Sequence, residues 1–180
     1  TDHGVDDAMI DRLLPIVASR WTRLVLVGLI ALSLQTTLFA DVRPFGIVAQ
    51  VMLLLAVAAG ATYGFEVGAI AGLTLGFMYD CVLNTPLGLC SLVFGGAAAA
   101  AGALPFFIRE PSWWLKIGAV AVATLVAELV FPFALTMVGI GGWVRPRMIL
   151  VALGVTVINV VVAPVALVVS RWTLKVSLGN

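Results

Sequence analysis

The sequence predicts an all-α polytopic membrane protein, a bundle of six transmembrane helices. Two observations carry this prediction. Of the 180 residues, 62% are hydrophobic and only 11% are charged, whereas soluble domains are about 45–50% apolar and about 25% charged. The ionisable residues are also grouped so that they frame six apolar stretches. A water-soluble globular domain is therefore excluded.

The first three apolar stretches are of unequal length. The first covers positions 24–40, behind the cationic flank Arg20-Trp-Thr-Arg23, and the second covers positions 44–65. A bilayer core about 30 Å thick needs about 20 helical residues, so both stretches are predicted to cross. The third, positions 67–79, is clearly shorter than this. This third segment is either a short spanning helix or a re-entrant hairpin.

The remaining three stretches are longer. They cover positions 81–108, 117–144 and 148–170, and the middle one is interrupted once by Glu128. Each is long enough for a transmembrane helix and part of its connecting turn. The sequence therefore predicts five clear spans and one short one.

The distribution of Lys and Arg decides between six spans and a re-entrant third segment, because cytoplasmic loops of membrane proteins are enriched in these residues. With six spans and a cytoplasmic N-terminus, seven basic residues face the cytoplasm and three face outward; with a re-entrant segment the division is five to five. Six spans with both termini cytoplasmic are therefore favoured. The inward group is Arg12, Arg20, Arg23, Arg109, Lys116, Arg171 and Lys175, and the outward group is Arg43, Arg145 and Arg147.

A single transmembrane domain over residues 24–170 is predicted. Residues 1–23 form a cytoplasmic N-terminal segment, in which apolar residues between Leu13 and Val17 recur at intervals typical of a short interfacial helix. Residues 171–180 form a cytoplasmic C-terminal tail.

The sequence lacks the residues that several classes of protein need for their function. Ten Lys and Arg against nine Asp and Glu give a net charge of +1, which leaves no basic surplus for a nucleic-acid backbone. Two cysteines, Cys81 and Cys90, and the single His3 are too few for a zinc or iron site; we interpret the cysteines as apolar helix-end residues, with a disulfide as the alternative. The apolar stretches hold no Ser-His pair, aspartate pair or H-E-x-x-H string. We predict a non-enzymatic protein with no cofactor and no metal cluster.

Glycines recur every fourth residue from the end of the second stretch through the third, and an aspartate follows at the same interval. Residues four apart lie on nearly one helix face, and small residues there let another backbone approach closely. One interpretation is packing within the chain, for which the small-residue stretch 95–102 is a candidate; the other is a docking surface for a partner protein. The residues are Gly60, Gly64, Gly68, Gly72, Gly76 and Asp80.

Polar residues inside the apolar stretches need a reason, because a charge in hydrocarbon costs about 2.5–3.5 kcal/mol on insertion scales. Glu128 lies near the middle of the fifth stretch and must be protonated or paired. Asn159, Gln35 and Gln50 are its candidate hydrogen-bond partners. Both a structural polar cluster and a functional one fit this pattern. Prolines follow two of these residues, at positions 132 and 164, and predict kinks that free backbone carbonyls nearby.

The order of these features resembles the bacterial rod shape-determining MreD family. In that family a Gln in the first span precedes an Arg-Pro-Asp turn, a glycine-rich helix ending in Gly-x-x-x-Asp, and a Pro-Leu-Gly turn. The similarity covers about residues 35–102. Phe45 stands where the family has the turn aspartate, so the role of that carboxylate is not transferred, although Asp41 lies nearby. The matching residues here are Gln35, Arg43-Pro44, Gly64 to Gly76 at every fourth position, Asp80 and Thr85-Pro86-Leu87-Gly88.

The resemblance implies an integral membrane subunit of the bacterial cell-elongation (rod) complex in the plasma membrane. Such a subunit supports lateral peptidoglycan synthesis and cell shape. It binds MreC and, through MreC, the filament protein MreB, RodA and penicillin-binding protein 2. The implied fold is similar to the substrate-binding S components of energy-coupling-factor (ECF) transporters. By this resemblance the glycine face, flanked by Arg43 and Asp80, is the candidate seat for the transmembrane helix of MreC.

Two other functions remain open. A vitamin-binding subunit of an ECF-type transporter would have the same fold class, and would need convergent polar side chains near its outer loops. A lipid-handling protein would use Glu128 to line a cavity between helices. The polar residues available near the outer loops are Asp41, Arg43, Asp80, Asn84, Arg145 and Arg147.

Overall fold

The computed structural model describes residues 19–41, 50–83, 86–142 and 144–175, and these residues form seven helices and no strand. The predicted all-α fold is confirmed. The predicted interfacial helix before residue 18 and the whole of the turn at Arg43 lie outside the described residues. The helices are α1 (Arg20–Asp41), α2 (Val51–Tyr63), α3 (Phe65–Asp80), α4 (Leu89–Gly102), α5 (Leu104–Phe107), α6 (Trp113–Met137) and α7 (Arg147–Leu174).

Each of the six apolar stretches corresponds to one of the longer helices. Among the described residues, three segments are long and apolar enough to cross a membrane: Leu89–Phe107, which joins α4 and α5, and the helices α6 and α7. Helix α2 is as apolar but has only 13 residues. These candidate spans identify the chain as a membrane protein.

Helix α2 is the centre of the bundle. Every residue from Met52 to Ala61 is buried, which covers the whole circumference of the helix. A helix that is apolar on every face has no side suited to water or headgroups, and its many alanines let neighbours pack close. Helices α3, α4, α6, α7 and α1 all contact it.

One end of the bundle gathers the termini of four helices. The Arg23 guanidinium donates a hydrogen bond to the Lys175 carbonyl at 2.7 Å, and the Tyr63 hydroxyl donates to the Arg171 carbonyl at 2.7 Å. The Arg171 guanidinium lies over the Trp113 ring, 5.1 Å from its centroid. We call this the Arg171 end. The starts of α1 and α6 and the ends of α2 and α7 therefore lie together there.

Helix α3 leaves the Arg171 end directly after α2 and finishes at Asp80, at the opposite end of the bundle.

Helix α6 begins with a capped turn, in which the Ser112 hydroxyl accepts a hydrogen bond from the Leu115 N–H at 3.4 Å. Both α6 and α7 continue through their internal prolines, Pro132 and Pro164. Successive long helices thus run in opposite directions.

Candidate functional site

The predicted glycine face is buried against α4. A Cβ atom built on Gly72 would lie 2.5 Å from the Phe94 carbonyl oxygen, and one on Gly76 would lie 2.6 Å from the Cys90 carbonyl oxygen. Real Cβ atoms do not come this close to backbone, so only glycine fits. The two chain segments approach backbone to backbone, which lets dispersion replace the hydrophobic drive that is missing in lipid.

The contacts follow a regular antiparallel register. Gly68 meets Ala98, Gly72 meets Phe94 and Gly76 meets Cys90, so each step of four forward on α3 is a step of four backward on α4. The row continues to the bundle end, where a Cβ on Gly102 would lie 2.5 Å from the Gly64 carbonyl carbon. Both helices therefore present an i, i+4 row to each other.

Gly60 and Gly64 differ from the three glycines of α3. Gly60 lies on α2, and a Cβ there would collide with the Ala98 carbonyl. Gly64 joins α2 to α3 with φ +94° and open space beside its Cα. A left-handed φ favours glycine for its backbone freedom, so Gly64 serves as a turn residue.

This packing corrects the docking interpretation of the glycine face. Helix α4 occupies Gly68, Gly72 and Gly76, so the intramolecular alternative applies there. The predicted pairing of stretch 95–102 with the third helix is confirmed at Ala98 and Gly102. A second polypeptide would have to displace α4 to reach these glycines.

The Asp80 carboxylate joins the end of α3 to the beginning of α4. It is 1% exposed. Its Oδ2 accepts from the N–H groups of Gly88 and Ser91, both at 3.0 Å, and from the Ser91 hydroxyl at 3.1 Å. Its Oδ1 accepts from the Cys90 N–H at 3.0 Å. The carboxylate therefore caps α4.

The position of Asp80 is also favourable electrostatically. The first N–H groups of a helix have no intrahelical partners and carry partial positive charge. One carboxylate satisfies several of them and closes the connection between α3 and α4. Because both oxygens are in use, Asp80 is not available to a vitamin or an ion. Its role is structural.

Gln35 caps a second helix from outside. Its Oε1 accepts from the Met52 N–H at 3.1 Å, which is in the first turn of α2. The N-cap residue Gln50 provides no side-chain bond to that turn. Gln35 thus ties α1 to the start of α2.

Glu128 is half-buried and Asn159 is buried, and neither has the partner expected from the sequence. Among the described residues, the enclosed Glu128 Oε1 and both amide atoms of Asn159 have no hydrogen-bond partner, and Asn159 is 1% exposed. Thr124, one turn before Glu128, is fully buried and its hydroxyl is also unpartnered. The prediction that Asn159, Gln35 or Gln50 pairs with Glu128 was wrong, because among the described residues no hydrogen bond joins any of the three to Glu128.

Sequence reasoning missed Ser91, Tyr79 and Thr124. Ser91 is the third residue of α4, a position from which a hydroxyl and an N–H can reach one acceptor, so the turn at Gly88 was an available signal. Thr124 precedes Glu128 by four residues and therefore shares its helix face. Nothing in the sequence distinguishes Tyr79 from an interfacial tyrosine.

A surface groove of about 790 Å³ lies between α4 and α6. Its walls are apolar, and its floor contains glycines and alanines. It extends from Leu89 and Ala134 near the Asp80 end to Phe107 and Leu115 near the Arg171 end. We call it the α4/α6 groove.

Comparison with models of protein families, with curated proteins and with solved structures gives no match.

Replacing Gly72 with alanine should lower stability by about 1–3 kcal/mol, because the added methyl meets the α4 backbone, which cannot move aside. Gly96→Ala is the matched control, since a Cβ at Gly96 has nothing within 4 Å. Unfolding of both variants in a denaturing detergent titration measures the difference. Equal loss in the two variants would show that the close helix approach contributes nothing.

Asp80→Asn should destabilise by about 1–3 kcal/mol, because an amide nitrogen would replace one acceptor oxygen and face backbone N–H donors. Ser91→Ala should have a smaller effect, about 0.5–1.5 kcal/mol, since it removes one hydroxyl donor and leaves the N–H bonds intact. The same titration ranks them. A larger loss in Ser91→Ala than in Asp80→Asn would contradict the capping role.

Proposed function

We propose that this chain is a non-enzymatic integral membrane subunit of the bacterial cell-elongation (rod) complex, which binds MreC and supports lateral peptidoglycan synthesis and cell shape. The proposal rests on the observation that the motif residues lie together in one helix–helix contact. The glycine row, Asp80 and the Pro-Leu-Gly turn form one continuous contact between α3 and α4. This supports treating the separate motifs as one signature.

The proposal includes six spans with both termini in the cytoplasm. The Arg171 end carries Arg23, Arg171 and Lys175, together with Trp113. Basic residues favour the cytoplasmic side, and tryptophans favour the membrane interface. Helices α1, α2 and α3 would cross the membrane as a compact group, with α1 and α3 packed against the buried α2.

We further propose that MreC seats its transmembrane helix in the α4/α6 groove. The groove follows about 18 residues of each wall, which is about 27 Å along a helix axis. That length matches the hydrocarbon core of about 30 Å, whereas one acyl chain reaches only the bilayer midplane. Exposed side chains such as Leu92 and Val122 provide apolar walls for a helix.

The two native cysteines test the topology. Cys81 is exposed and follows the third predicted span, while Cys90 is buried. With six spans, a membrane-impermeant maleimide should label Cys81 in intact spheroplasts. Lys175→Cys in a Cys81→Ser background should be labelled only after the membrane is permeabilised. Labelling of Cys81 only after permeabilisation would instead place it inside, as a re-entrant third segment requires.

Filling the groove should release MreC. Gly96→Phe places a ring on the groove floor and should lower MreC recovery in detergent co-purification by about tenfold, equivalent to about 1.4 kcal/mol. Val161→Phe, on the exposed face of α7, is the matched control and should retain MreC.

Two different results would contradict different parts of the proposal. Unchanged recovery by Gly96→Phe would remove the groove as the seat. If the wild-type chain neither recovers MreC nor restores rod shape to cells depleted of their own MreD, the proposed function itself is wrong.

A further inference from the structure

Polar side chains from four helices lie at one depth in the bundle. Arg171 and Trp113 are in contact, so depth can be counted from them along α7 and α6. Asn159 precedes Arg171 by about three helical turns, and Thr124 follows Trp113 by about three turns. At a rise of about 1.5 Å for each residue, both lie about 17–18 Å from the Arg171 end. Glu128 lies one turn further, at about 22 Å.

Two other helices reach the same depth. Gln35 follows Arg23 by about three turns of α1, and Arg23 is itself at the Arg171 end, so Gln35 lies about 18 Å away. Tyr79 follows Phe65, the first residue of α3, by about four turns, so it lies about 21 Å from the Arg171 end. We call Gln35, Tyr79, Thr124, Glu128 and Asn159 the polar layer.

Part of the polar layer is satisfied and part is not. Gln35 Oε1 accepts a hydrogen bond from the Met52 N–H. By contrast, four enclosed atoms on α6 and α7 have no hydrogen-bond partner in the part of the chain that the structure describes: Thr124 Oγ1, Glu128 Oε1, Asn159 Oδ1 and Asn159 Nδ2. Buried polar atoms are nearly always hydrogen-bonded in native proteins. Three unsatisfied oxygens at adjoining depths indicate a missing electron-pair acceptor.

No basic side chain among the described residues lies at this depth to pair with the Glu128 carboxylate. The nearest basic residue along α6 is Lys116, about three turns before Glu128, and the other described basic residues lie at helix ends or in connections. Pro132 has no N–H, so it leaves the Glu128 carbonyl without its helical donor.

We propose that Thr124, Glu128 and Asn159 form a buried binding site for one alkali metal cation. Hydroxyl, carboxylate and carboxamide oxygens are hard ligands of the kind that such cations prefer. A single carboxylate matches a single positive charge. Asn159 Nδ2 requires an acceptor, which one water retained by the cation would supply. This ligand set differs from the His and Cys ligands whose scarcity argued against zinc or iron.

Thermal unfolding of the purified full chain in detergent tests the site. Chlorides of sodium, potassium and choline are compared at equal ionic strength, so that general salt effects cancel. Sodium or potassium should raise the Tm by about 5 °C over choline when the cation concentration is about a hundredfold above Kd. Saturation of the increase with concentration marks a specific site, and the more effective cation identifies the occupant.

Variants assign the increase to these residues. Glu128→Gln and Thr124→Val should abolish the cation-dependent rise, whereas Thr124→Ser, which keeps the hydroxyl, should retain it. Thr156→Val is the control, because that α7 hydroxyl already bonds to the Ala152 carbonyl. If Glu128→Gln does not insert stably, the Thr124 pair decides.

Equal Tm values in all three salts would overturn the proposal and assign the unpartnered atoms to water or to a protonated Glu128. A rise of unchanged size in Thr124→Val would overturn it as well, by placing the cation elsewhere.

Discussion

The close approach of α3 to α4 is the constraint on which the rest of the bundle depends. In lipid, apolar side chains gain nothing by leaving the solvent, so helices associate through contact area and polar bonds. Glycines on α3 let its backbone reach the carbonyl row of α4, and Gly60 extends that contact to α2. The buried α2 can then be covered on all sides. A side chain at Gly68 would separate three helices at once, because its Cβ would meet both Gly60 on α2 and Ala98 on α4.

Asp80 gives this contact its register. Rows of small residues are uniform, so two such helices could slide by one turn and still pack. The carboxylate prevents that, because its acceptors match the N–H groups of Gly88, Cys90 and Ser91 only in one alignment. Dispersion therefore supplies much of the attraction and a single capped helix end supplies the specificity. Gln35 does the same for the first turn of α2.

Local features of the sequence predict more of this fold than of its site. Spacing between charges identified all six longer helices, and the four-residue glycine period identified the face of α3 that packs. Which helix fills that face depends on loop lengths and chain direction, which no local pattern contains. The expected pairing of Glu128 with Asn159 failed for the same reason. Whether residues on two helices lie at the same depth is set by contacts at the bundle end, such as that of Arg171 with Trp113, which the sequence does not show.

Asp80 and Glu128 differ in whether their carboxylate oxygens receive hydrogen bonds. Both are carboxylates in an apolar bundle, where an unsatisfied group is costly. At Asp80 both oxygens receive bonds, and replacing any donor would weaken a helix end. At Glu128 an enclosed oxygen has no partner among the described residues, and the same is true of the Thr124 hydroxyl one turn earlier and of the Asn159 carboxamide on α7. The same bundle that provides four hydrogen bonds to the Asp80 carboxylate provides none to the enclosed Glu128 oxygen. The unpaired cluster is therefore best explained by an occupant supplied from outside the chain.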